Sequence, residues 1–152
     1  SVKVDFVHNT NFGGFSEVKK RILNIVGHIR VGVFADSPNY PSGVSLVEVA
    51  RINAFGTARI PARNFMRAWS KKMKVPYTQV MKALAKNIIL GDFSSEKARR
   101  NLGIRSVRDL QQVIEDFSQP PNAAYTIAKK GFNNPLIHTR HLKKNIRWKH
   151  GR

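Results

Sequence analysis

Residues 51–69 read Arg51-Ile52-Asn53-Ala54-Phe55-Gly56-Thr57-Ala58-Arg59-Ile60-Pro61-Ala62-Arg63-Asn64-Phe65-Met66-Arg67-Ala68-Trp69. This short span holds a helix end, a tight loop and a helix start. Gly56 follows a helical pattern and can take the left-handed conformation that closes a helix. Pro61 bars Ile60 from helical geometry and stiffens the loop. Asn64 is a candidate N-cap, with Phe65, Met66 and Trp69 spaced along one face of the next helix. Arg51, Arg59, Arg63 and Arg67 charge the span, and no acid offsets them. An ordinary helix–loop–helix, in which the glycine and proline only turn the corner, accounts for the same residues.

On the N-terminal side, Val2, Val4 and Phe6 alternate with polar residues and predict a short strand over Ser1 to His8. Asn9 to Gly14 reads as a turn. Ser16 can cap a helix through Val18, Ile22, Ile25 and Val26, which Gly27 ends. Ile29, Val31 and Val33 share one face of a central strand over Ile29 to Phe34. The prolines and glycine of 36–43 predict an exposed loop. Ser42 or Ser45 then caps a helix with Leu46, Val49, Ala50 and Asn53 on one face.

On the C-terminal side, a helical pattern runs from Phe65 to Leu90, with Pro76 expected to kink or split it at Val75. Val80, Met81, Leu84, Ile88 and Leu90 supply its core face, while Lys71, Lys72, Lys74, Lys82 and Lys86 point outward. Gly91 to Ser95 is a break. Ser94 or Ser95 starts a basic segment, and Ser106 is read as the cap of a helix through Phe117, with Val107, Leu110, Val113 and Ile114 inside. Residues 118–135 form a second exposed loop or arm, within which Ala123 to Lys130 leans to helix. Thr139 can cap one helical turn through Lys144, and Ile146 to Lys149 makes a closing strand. The order predicts a single α+β domain over 1–152, a small antiparallel or mixed sheet packed with several helices. There is no internal repeat or low-complexity linker.

A chain of 152 residues can bury a core without staples, and it has no cysteine. Disulfides, thiolate metal sites and a cysteine nucleophile are therefore excluded. No run approaches the roughly eighteen apolar residues of a membrane span and no signal-peptide pattern opens the chain, so a protein without a membrane partner is expected. The charge is the outlier: 27 Lys and Arg against 9 Asp and Glu give +18. From Lys129 to Arg152 eight basic residues meet no acid. Such a chain favours anionic neighbours.

Chemistry is not indicated. His138 and His141 are three apart but lack a third ligand or an orienting carboxylate. Glu115-Asp116, the one adjacent acid pair, sits in an amphipathic helix where both face solvent. Gly13-Gly14 and Gly131 make no phosphate loop, and no serine stands in a nucleophile elbow. The expectation is a non-enzyme with no cofactor and no metal. Tyr125, Phe132 and Trp148 lie among Lys129, Lys130, Lys143 and Arg147, which suits base stacking or simply a core.

Asn53-Ala54-Phe55-Gly56-Thr57 followed by Ile60-Pro61-Ala62-Arg63-Asn64-Phe65-Met66-Arg67 resembles the core motif of the tail-completion (virion-morphogenesis, neck and minor-tail) proteins of tailed bacteriophages. Near the C-terminus, Pro135-Leu136-Ile137-His138-Thr139-Arg140-His141-Leu142-Lys143-Lys144-Asn145-Ile146-Arg147-Trp148 resembles the family's second phrase. The order of the two phrases also agrees. Ala54 replaces the usual acid, Asn64 the second proline, and His138 and Arg140 an Asp and a Gly. The resemblance implies a small α+β structural protein of the virion, assembled in the host bacterial cytoplasm. It would join or complete the tail at the neck as a homo-oligomeric ring, with a hexamer one option, beside other phage neck and tail proteins. It points to Phe55, Gly56, Thr57, Arg59, Ile60, Pro61, Arg63, Phe65 and Arg67, and to Thr139, Leu142, Ile146 and Trp148, as the interaction and structural motif. In that reading Phe55, Ile60, Pro61, Phe65 and Trp69 set a rigid elbow. Arg59, Arg63 and Arg67 project from it toward acidic neighbours or, without sequence preference, DNA. Thr139 and Leu142 anchor the small helix before the closing strand. The alternative is a monomeric basic nucleic-acid-binding protein with steeply salt-dependent affinity.

Overall fold

The computed structural model describes residues 28–92, 94–131, 136 and 140–151. The readings made for Ser1 to Gly27, for 132–135 and for Thr139 lie outside these residues. The described part is α+β: strand β1 (Ile29–Gly32), helices α1 (Leu46–Phe55), α2 (Phe65–Leu90), α3 (Ser95–Asp116), α4 (Ala124–Lys130) and α5 (His141–Lys144), and strand β2 (Arg147–His150). β1 and β2 pair antiparallel, with Val31 opposite Trp148 and Gly32 opposite Arg147. Gly151 N–H donates to His28 O at 2.7 Å and extends the ladder.

α3 is the hub, packing against α2, α5 and both strands. Ala98, Gly103, Ser106, Leu110, Val113 and Ile114 are its buried face; from Gly103 on, the three-to-four residue spacing holds one stripe inward. Around it gather Leu46, Ala54, Phe65, Leu136, Leu142 and Ile146, with Val31, Val33, Tyr40, Val107 and Phe117 at the margin. Full burial of a side chain such as Leu46, Leu110 or Ile114 contributes about 1.5–3 kcal/mol.

Three expectations need correction. Ser106 does not cap a helix: it is 1% exposed and lies mid-helix, where its small side chain fits beneath α2 and meets the Tyr77 hydroxyl. The helix starts eleven residues earlier, where Ser94 Oγ accepts from Lys97 N–H at 3.2 Å. Pro76 does not split α2, which runs unbroken across it. The proline removes one helix hydrogen bond, and the packing of Tyr77 on α3 holds the next residue in place: Tyr77 Oη donates to Asp109 Oδ2 at 2.8 Å. Burial is the main reason the Tyr77 phenol is pushed up to about 12. Met81 and Leu90, expected in the core, are exposed, whereas Ile88 is buried and Val80 and Leu84 are half-buried. The core-facing stripe of α2 is narrower than its apolar content.

Other boundaries agree with local chemistry. Ser45 Oγ accepts from Glu48 N–H at the start of α1, and Asn64 Oδ1 accepts from Arg67 N–H at 2.9 Å at the start of α2. Gly91 closes α2 in the left-handed conformation. The 36–43 segment is a loop as expected, but it is tied down. Asp36 binds Lys149 and Arg147 on β2, and its carboxyl is held below the usual range chiefly by the hydrogen bond from Lys149. Both cations lie over the Phe34 ring.

Gly103 explains how the sheet reaches the hub. A Cβ there would overlap the Trp148 indole, so the missing side chain is the seat of the β2 tryptophan. Gly103→Ala should therefore destabilise the fold by about 1–3 kcal/mol through overpacking, although the same change in an open helix stabilises by about 1 kcal/mol. Thermal unfolding of the variant beside wild type decides between these signs.

Candidate functional site

The span 53–67 is a closed turn built by its own backbone. Gly56 N–H caps α1 on Ile52 O at 2.7 Å. Its conformation, φ 75° and ψ −177°, is positive in φ but is not the left-handed helical cap expected from the sequence. The extended ψ sends the chain sharply away, and a Cβ at Gly56 would meet the backbone of Ile60 and Ala62. Thr57 N–H donates to Ile60 O at 2.8 Å, while Thr57 Oγ1 accepts from the N–H groups of Arg59 and Ile60. Arg63 N–H returns to Asn53 O at 2.6 Å, so the turn is cross-tied at its base.

Arg63 does not project. It is 6% exposed, among the described residues the one buried charged side chain. Nε donates to Pro120 O and Nη2 to Pro121 O, both at 2.9 Å. The forked guanidinium suits two neighbouring carbonyls, and burial depresses its pKa. The Lys130 ammonium is also depressed, first by burial and then by the nearby Arg63 charge. The described part of the 118–135 stretch, 118–131, is thus no free arm: Arg63 anchors its start, the Gln119–Pro120 peptide is cis, and α4 follows.

The expected elbow residues divide between inside and outside. Phe65 is core and Trp69 packs against it, edge-on to Tyr77 with ring centroids 5.8 Å apart. Phe55 is 72% exposed and Ile60 is exposed too, so neither stiffens the turn from within. Thr57, Arg59, Pro61 and Arg67 are on the surface. At the C-terminus Leu142 and Ile146 are core, and Trp148 sits on Gly103. Thr139 lies outside the described residues; Arg140, at φ 60°, is the residue preceding α5, with no side-chain cap. The structure therefore brings Phe65, Leu142 and Ile146 into one core, and leaves Phe55, Ile60, Arg59 and Arg67 outside it.

His141 Nε2 lies 3.3 Å from Pro38 O and its ring packs on Tyr40, and among the described residues no three His, Asp or Glu gather as a metal site. Glu115 does not simply face solvent, since it pairs with Lys143 of α5. Tyr125 is exposed whereas Trp148 is packed, so they form no joint stacking platform. Among the described residues no helix is long and apolar enough to cross a membrane.

Two functional features escaped the sequence reading. The Arg63 partners are main-chain carbonyls, which residue identity does not reveal. Gly103 gave a signal, an isolated glycine inside a basic helical pattern, which marks close approach of another group. No family model, curated protein or solved structure matches the chain.

Because Arg63 is a buried donor to two carbonyls, Arg63→Met should cost about 2–4 kcal/mol. Arg63→Lys, with a point charge in place of a fork, should recover only part. The urea midpoints of the three proteins give the comparison, and equal midpoints would remove the clamp.

Proposed function

We propose that the protein is a structural component of a tailed-phage particle, joining or completing the tail at the neck as a ring of identical subunits. One observation carries the proposal. The two stretches behind the resemblance lie 71 residues apart at Phe65 and Leu136 in sequence, yet both feed the core around α3. Phrases that depend on each other for burial are expected to occur together, in that order, as one folding unit.

The outer side of the same turn suits a protein contact. Phe55 and Ile60 are apolar, exposed and close in sequence to Arg59, and aromatic and Arg side chains are the usual anchors of interfaces. In a closed ring each subunit offers two unlike faces, so this patch meets a different surface on the neighbour. The closing strand β2 has its partner in β1, and its role in this reading is to seat Trp148 on α3.

Light scattering at low and high salt, with and without purified tails, tests the reading. The expected result is a ring, formed by the protein alone or on addition of tails, which the double variant Phe55→Ala/Arg59→Glu fails to form while its circular dichroism spectrum is kept. A wild-type protein that stays monomeric throughout and ignores tails would overturn it.

A further inference from the structure

We propose that the solvent face of α2 is a docking surface for the phosphate backbone of duplex DNA. Phe65–Leu90 contains no Asp or Glu. Arg67, Lys71, Lys74, Lys82 and Lys86 are all exposed. At 3.6 residues per turn they fall within an arc of about 120°, and at 1.5 Å per residue the row is about 28 Å long. Thr78, also exposed, fills its gap and donates to Lys74 O. Among the described residues none of the five cations is in an ion pair. Five like charges on one helix face repel each other, a cost that an anionic partner removes.

A second copy of the chain does not supply that partner. Asp36, Glu48, Asp109, Glu115 and Asp116 already hold Lys149 and Arg147, Arg51, Arg105, Lys143 and Lys72 respectively. Of nine acids this leaves Asp92 and Glu96, with Asp5 and Glu17 outside the described residues. Those carboxylates are fewer than the cations of this one row. The counter-charge comes from another molecule.

The composition of the row selects phosphate over an acidic protein. Lysine is depleted at protein interfaces, while its compact charge suits phosphate oxygens without directional demands. Of the apolar side chains exposed along α2 at mid-length, Val75 falls inside the row and Met81 just outside its other edge, about 120° away around the helix. They form no continuous anchor within it. No aromatic side chain lies in the row to stack an unpaired base, which disfavours single strands. A duplex presents one phosphate per about 1.7 Å of axis, enough to meet every cation of a helix laid against it. Contact of this kind has no sequence preference.

The inference does not rest on the ring, and it is tested separately by binding of the full chain to a random-sequence DNA duplex across a salt series. Five phosphate contacts predict a log–log slope of about −4 to −5. The variant Lys71→Gln/Lys74→Gln/Lys82→Gln/Lys86→Gln should lower that slope by about three to four and weaken binding by more than about tenfold. A charge-matched control, Arg30→Gln/Arg100→Gln/Lys129→Gln/Lys144→Gln, should stay close to wild type. Circular dichroism verifies that both variants fold. Equal losses in the two variants would overturn the proposal, because net charge and not this face would then govern binding. A wild-type protein that ignores the duplex yet binds polyglutamate through the same lysines would also overturn it, in favour of an acidic protein partner.

Discussion

A buried guanidinium that, among the described residues, has no carboxylate partner is the constraint on which the α1–α2 turn and the segment after α3 both depend. Arg63 must give its protons to something once it leaves water, because an unpaired buried charge is far more costly than the fold can absorb. The acceptors are the carbonyls of Pro120 and Pro121. Proline is suited to that role: it has no N–H, so its carbonyl is the main-chain polar group left to satisfy. The clamp holds together two segments nearly sixty residues apart in sequence. With the return of Arg63 N–H to Asn53 O, it also sets where α2 begins, and so which side of α2 meets α3.

That placement sorts the basic residues. Arg63 turns inward, Arg147 and Lys149 hold Asp36, Lys143 holds Glu115, and Arg51 holds Glu48. These pairs are mostly exposed and screened by water, so each contributes little to stability. Their main consequence is to occupy the carboxylates. Arg67, Lys71, Lys74, Lys82 and Lys86 along α2 are then left facing water, and Arg59 stands beside exposed Phe55 and Ile60 on the turn. Five of the surplus charges thus line one long helix face free of acids, and the apolar anchor beside Arg59 is a separate feature with a different kind of partner.

Most of the framework was legible because it is local. Helical spacing placed Leu46, Phe65, Leu110 and Ile114 inside, and side-chain capping placed Ser45 and Asn64 at helix starts. Alternation found the strands that pair as β1 and β2. Ser106 misled because serine is both a good cap and a small residue that fits beneath a crossing helix, and sequence alone does not separate the two. At Pro76 the loss of one hydrogen bond was outweighed by packing on α3, so the helix is not split there. The candidate site was legible by half. The pattern located the turn and its arginines, but their direction depends on what lies across the fold. Arg63 and Arg67 look alike in sequence and end on opposite sides of the surface.

The central claim is that Arg63 is an internal donor, and nuclear magnetic resonance of arginine Nε–Hε groups tests it most directly. The account predicts a sharp Arg63 correlation that persists into mildly alkaline buffer, when those of exposed Arg59 and Arg67 have been lost to exchange with water. Assignment follows from its disappearance in Arg63→Lys. An Arg63 signal that exchanges as fast as those of Arg59 and Arg67 would contradict the account and return Arg63 to the surface.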